Sequence, residues 1–420
     1  MAVLAACPGA RHARDPAADP STLEIGRDAT SLRGLAADRE LTFVALASGT
    51  TSTIEARRGS SVVWSAKLGG IAGPIAQQAP LLFASLAGTG TLAGQPVRGE
   101  PAAMVVALDQ STGASPWTTA IESSEWAQVT TVTGTARGAL LGGAFSGTLR
   151  IGNAVVSSAG KSDGFVVRLG LTGEPEWLIR VGGPHADSVQ GISTRNGHLA
   201  IAGTFAAGAE LEGIPLPAFD ERAPYADGFV ALLDERTGTR LWAATFGGKL
   251  DDSVAGVVID DAENIVVAAN ARDTVHVGGI DLVAHGDADG LVAWWTKAGV
   301  ASHAMLVGGP DFDGLRAISA TGDRILVAGF FSGALQLGRR TLTAGGGDDA
   351  FIVALDTHGA VTESWQIGGS GREEVATLTG IPGGFLAGIA HTAAASIGGA
   401  DLPAPKDPMS GAAIVVRPVR

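Results

Sequence analysis

The side chains best placed for chemistry are acidic and recur at fixed spacing. Five residues beyond the first glycine of successive Gly-Gly pairs stand Asp187, Asp252, Asp313 and Glu373, flanked by Asp251, Asp311 and Glu374. A second set, Asp163, Asp227, Asp289 and Asp349, opens a repeated apolar segment. Hard cations take several carboxylate and carbonyl oxygens, so the first set predicts a metal site whose ion would be Ca²⁺, and the second set a binding face. Neither set has the dense D-x-D-x-D spacing of a loop site. The competing expectation is turn chemistry, because an Asp carboxylate bonds its own neighbouring backbone. On that expectation the protein carries no cofactor.

Other chemistries find no footing. The eight histidines, at 12, 185, 198, 276, 285, 303, 358 and 391, occupy unrelated places, and no Ser or Cys stands in a nucleophile-elbow context. No His pair flanks a Glu at helical spacing, and no phosphate-binding glycine loop opens a helix. No catalytic residue is therefore assigned. Paired carboxylates for glycoside hydrolysis, drawn from distant segments, would leave no spacing signature. Aromatic residues are only 5% of the chain, which disfavours a sugar cleft lined with stacked rings.

Composition narrows the class. With 42 Asp+Glu against 29 Lys+Arg the net charge is −13, which repels phosphate backbones and argues against nucleic acid as a partner. Sixty-one glycines without a collagen period indicate many tight turns. No apolar run approaches the ~18 residues of a membrane-spanning helix. The single cysteine, Cys7, excludes an intrachain disulfide and a cysteine-rich zinc site. It follows Leu4, Ala5 and Ala6, and Leu-Ala-Ala-Cys resembles the bacterial lipobox, which implies lipidation of Cys7. The few preceding residues lack a basic region and a full apolar stretch, so that reading places the true start upstream. Residues 1–20 are taken as a signal remnant and polar tether, and 21–420 as one domain.

The elements that hold the acids repeat about every sixty residues. The segments DGFVVRL, DGFVALLD, DGLVAWW and DAFIVALD begin at Asp163, Asp227, Asp289 and Asp349. With weaker copies they give anchors at Ile54, Met104, Phe165, Phe229, Leu291, Phe351 and Ile414. A turn, an apolar strand and usually Gly-Gly follow, with Trp64, Trp117, Trp177 and Trp242 at one strand position and His303 and Glu363 in later copies. A Trp recurring at one strand position predicts packing between repeats. Runs of five to eight small or β-branched residues broken by Gly, Asp and Asn read as strands, four per repeat, called a to d here. Four-stranded repeats with glycine-rich turns are the signature of propeller blades.

The expected fold is therefore an all-β, seven-bladed β-propeller of four-stranded antiparallel blades. A spare strand at 22–27 and a missing d strand at the other end complement each other, so the N-terminal strand should close the last blade beside 412–418. DGFVVRL, EWLIRVGG, ADSVQGIST and HLAIAGTFAAG resemble the bacterial seven-bladed propeller repeats of predicted cell-surface lipoproteins, over roughly residues 21–418. The resemblance implies strand a innermost and an address in the bacterial envelope, lipid-anchored in the outer membrane or periplasm, or secretion.

Antiparallel alternation puts the d–a and b–c links on one face of such a ring. The long b–c links, 207–227, 272–289, 332–349 and 392–411, then predict ordered projections and ligand contact on that face, although they could instead extend the blades. The resulting function is a non-enzymatic binding or scaffold propeller, monomeric, with a protein or glycan partner and membrane contact only through the lipid. The alternative class is a secreted propeller enzyme, a hydrolase or lyase acting on carbohydrate.

Overall fold

The computed structural model describes residues 22–24, 31–88, 91–92, 95–96, 102–219, 225–338, 340–397, 400–402, 404–405 and 411–418. Cys7 and the tether lie outside them, as does the end of the spare strand. Among the described residues every named element is a β-strand, and no helix is long and apolar enough to cross a membrane.

Strands pair antiparallel in a radial arrangement. The innermost strands surround a channel in sequence order. Ser31–Ala37 touches Ile71–Gln78, and contact passes on through Trp126–Thr135, Ser188–Arg195, Ser253–Ile259 and Gly314–Thr321 to Glu373–Ile381. That last strand touches Ser31–Ala37 and closes the ring. The c strands Asp163–Leu169, Asp289–Trp295 and Asp349–Leu355 are buried along their whole length because other sheets cover both faces, whereas Thr51–Arg58 alternates buried and open residues. The d strands, such as Pro175–Gly182, are more open. The core lies between neighbouring sheets: Val230 and Leu232 of one repeat share a cluster with Val267 and Leu291 of the next.

The expectation of seven uniform four-stranded blades is corrected by the strand pairing. Five sheets have six strands, two have four, and Ala334–Leu337 with Arg340–Thr343 forms a separate two-stranded ribbon. The extra strands are the predicted projections. They do not project. Five of the b–c links fold into a short hairpin that adds to the outer edge of the preceding repeat's sheet; the first is a two-residue turn, and Ala334–Leu337 with Arg340–Thr343 stays apart as a ribbon. Glu210–Leu211 pairs with Pro175–Gly182 through Leu211 and Val181, and Thr274–Val277 pairs with Arg240–Gly248 through Val277 and Phe246. Unpaired edge groups of the d strand draw in the nearest extended segment, so the links extend the sheets and tie neighbouring repeats together.

Closure follows the strand arithmetic. Thr22–Glu24 pairs antiparallel with Gly411–Pro418, Leu23 facing Ile414, and Gly411–Pro418 in turn pairs with Gly384–His391. The recurring tryptophans pack between repeats. A Cβ on Gly113 would meet Trp64 at 2.6 Å, one on Gly173 would meet Trp117 at 2.6 Å, and one on Gly299 would meet Trp242 at 2.8 Å. These glycines sit in the c–d turns of the following repeat, with φ between +72° and +86°. They serve both the turn and the close approach of the ring. His303 holds the same place against Gly359.

Candidate functional site

The two acid sets meet, but in pairs at successive junctions between repeats rather than around one ligand. Asp187 stands in a d–a link. Its Oδ2 accepts from the Gly183 amide at 2.8 Å and its Oδ1 from the Ala206 amide at 2.9 Å, while its own amide donates to the Ser162 carbonyl at 2.8 Å. One residue, through its side chain and its backbone amide, thereby joins the end of strand d, the residue before strand c and the start of the next b–c link. Asp313 repeats the pattern with Gly309 at 2.5 Å, Ser332 at 3.1 Å and the Ala288 carbonyl at 3.0 Å. Asp252 Oδ1 accepts from the Arg272 backbone amide at 3.1 Å, and its own amide donates to the Ala226 carbonyl at 2.8 Å. Glu373 donates its amide to Asp348 at 3.0 Å.

The second set ties down the far end of the b–c link. Asp163 accepts from the Ala159 amide at 3.1 Å and from Arg180 Nη1 at 2.5 Å. Asp227 accepts from Phe219 at 2.9 Å, and Asp289 from His285 at 2.9 Å. Asp349 accepts from Gly345 at 3.2 Å and from Gln366 Nε2 at 2.6 Å.

All eight carboxyls are at most 3% exposed. Burial, opposed by the backbone donors and reinforced by the neighbouring Asp163, raises Asp187 to about 6. Burial raises Asp313 to about 6, with Asp289 and Asp311 adding to it. Burial raises Asp252 and Glu373 to about 7, helped by Asp227 and Asp349 respectively. Burial likewise raises Asp349. A buried carboxyl beside another resists ionisation for both reasons.

This geometry changes what the acids can do. Asp187, Asp252, Asp313 and Glu373 occupy separate junctions, and the described residues contain no group of three or more His, Cys, Asp or Glu placed to hold a metal ion. Asp163, Asp227, Asp289 and Asp349 do not form an exposed binding face, because they are buried. Their chemistry is that of turns, extended into a latch between repeats.

The residues that do face solvent at the channel mouth stand immediately before the latch acids, or before Ala127 at the equivalent place in an earlier repeat. In successive repeats this position holds Trp126, Ala186, Asp251, Phe312 and Arg372. Trp126 and Phe312 are each 43% exposed, and Leu250 beside Asp251 is 40% exposed. Phe312 lies 5.6 Å from Phe330, over which the Arg316 guanidinium sits at 4.9 Å. With Asp251, Asn270 and Arg272 these residues line a cavity of about 250 Å³. Aligning the repeats on their acids would have exposed this position, since the residue type varies there while its neighbours keep theirs.

Residues 226–336, less than half of the chain, match the family described as outer membrane protein assembly factor BamB. No curated protein matches the chain. Among solved structures, BamB from Moraxella catarrhalis is similar at 15% identity over 95% of this chain and 100% of that one, with a TM-score of 0.44. Quinohemoprotein alcohol dehydrogenase from Comamonas testosteroni is similar at 10% identity over 96% and 77%, with a TM-score of 0.46. Sqt1 from Saccharomyces cerevisiae gives 9% identity over 95% and 98%, with a TM-score of 0.47. The fold assignment rests on the strand pairing itself. The chain is a β-propeller whose matched segment is similar to a propeller repeat family.

Proposed function

We propose that the chain is a non-enzymatic binding or scaffold propeller of the bacterial envelope, tethered by lipid on Cys7, and that it takes a protein partner on the face carrying the d–a links. The observation that carries this reading is the rim of exposed large apolar side chains, Trp126, Leu250 and Phe312, around the channel mouth. Aromatic residues on a rigid frame are the usual anchors of protein interfaces. The frame is rigid here because latches, hydroxyl contacts and hairpins tie neighbouring repeats together. The similarity of residues 226–336 to an outer membrane assembly factor supports a protein partner and an envelope address.

A photo-crosslinking residue at Trp126, and separately at Leu171 in a c–d turn on the opposite face, tests the assignment in intact cells. A discrete protein adduct from position 126 alone is expected. Adducts from position 171 alone, or from neither, would overturn the choice of face. Metabolic fatty-acid labelling of wild type and Cys7→Ala tests the tether, and an unlabelled wild type ends that part of the reading.

A further inference from the structure

The innermost strands share a defect at one height. Pairing with strand b skips a residue between Leu32 and Gly34, between Val189 and Gly191, between Leu315 and Ala317, and at the equivalent place in the other repeats. A bulge re-aims the extra side chain. Here the extra residues border the channel, where a cavity of about 370 Å³ is lined by Arg33, Thr130, Gln190 and Arg316 among small and apolar neighbours.

The charge of this cavity runs against that of the chain. Arg33 and Arg316 are the charged residues of its lining, and no carboxylate joins them, in a protein with 42 Asp+Glu and 29 Lys+Arg. Strand Glu373–Ile381 touches both strands that carry the arginines, and its own extra residue is Ala376, so the side chain standing between them at that height is a methyl group. Arg316 Nε meets Glu374 at 3.2 Å with both side chains half exposed, a pairing of little strength that leaves the outer guanidinium edge open. The Phe330 ring steadies the guanidinium plane. Arg33 has no ion pair among the described residues. A cleft of one sign with low-dielectric walls focuses its field, and guanidinium forks match planar oxyanions.

We propose that the central channel is an oxyanion site in which Arg33 and Arg316 hold a carboxylate or a phosphate group. The cavity suits a small acid rather than a polymer. The site lies inside the ring and does not depend on the rim taking a protein.

Titration calorimetry of the full chain with inorganic phosphate and with succinate, against chloride at matched ionic strength, tests the assignment. Saturable binding of at least one of the two is expected. Arg33→Gln and Arg316→Gln should each weaken it by about tenfold, the usual worth of one charge-assisted pair, while Arg58→Gln, at the end of a strand away from the channel, leaves it unchanged. A preference for phosphate or for succinate would identify the ligand class. Heats equal to dilution for both anions, or unchanged affinity in both channel variants, would overturn the proposal. Both arginines are exposed on their strands, and thermal unfolding of each variant checks that the ring is intact.

Discussion

Junctions at the start of the chain and junctions further along solve the same problem with different groups. At the first junction Ser52 stands where later repeats have Asp163, Asp227, Asp289 and Asp349. Its hydroxyl is buried, donates to the Gly70 carbonyl at 3.0 Å and accepts from the Ala72 amide at 2.7 Å. At the second, Ser123 donates to the Ser146 carbonyl at 2.7 Å and Ser146 donates to the Glu125 carboxylate. From the third to the sixth, a pair of buried carboxyls stands at this place. The common requirement is to satisfy the backbone of a link that leaves one sheet for the next, because unpaired buried amides are costly. A hydroxyl meets it without a charge to desolvate. The carboxyls of Asp187 and Asp313 meet it with two acceptors at once, and bring a proton equilibrium with them.

The two kinds of junction meet where the ring closes, and the largest expected effect lies there. The core at that seam is small, built on Leu32, Leu35, Val44, Leu46 and Leu386. Deleting residues 1–28 strips the strand that covers Gly411–Pro418 and should cost about 3–4 kcal/mol in urea unfolding. A loss below about 1 kcal/mol would show that the latches hold the ring without strand closure.

The acid and hydroxyl junctions can then be set against each other directly. Asp313→Ala leaves the Gly309 and Ser332 amides without their acceptor and should cost about 2–4 kcal/mol at neutral pH. Ser52→Ala should cost about 1–2 kcal/mol. Equal losses in denaturant titrations would mean that the second acceptor of the carboxyl contributes nothing.

The tryptophan contacts give a control common to both regions. Gly173→Ala forces a methyl into Trp117 at 2.6 Å, whereas Gly197→Ala, at a similar φ of +79°, meets nothing within 4 Å. The first should cost about 1 kcal/mol more than the second. Matching melting curves would remove the ring contact from the account.

The smallest effect is the most diagnostic. Asp187 and Asp313 hold protons up to about 6 and Asp252 and Glu373 up to about 7, above the ordinary carboxyl range that applies once the chain unfolds. Between about pH 4 and 7 the folded chain therefore binds more protons than the unfolded one, and stability falls as pH rises. The melting temperature should be a few degrees higher near pH 5 than near pH 8. Replacing Asp252 by Asn and Glu373 by Gln should flatten the upper part of that slope, whereas Ser52→Ala should leave its shape alone. A wild-type slope of opposite sign would contradict the carboxyl latch.

Much of this molecule was legible in the order of its residues. Strand identity, the repeat, the stacking of tryptophans between repeats and the pairing of Thr22–Glu24 with the far end follow from alternation, turn residues and the counting of unpaired edges. Those are properties of short segments, or of arithmetic along the chain. The b–c links were visible as ordered segments, but not as the outer strands of the preceding repeat's sheet, because an open edge offers its hydrogen bonds only once that sheet exists. Turn acids could be recognised by type and spacing, yet burial belongs to the packed sheets around them. Asp187 and Asp313 therefore became latches with raised pKa rather than a charged face. Arg33 and Arg316 look like ordinary strand residues until bulges at one height turn them into a common channel, and only the closed ring makes that channel.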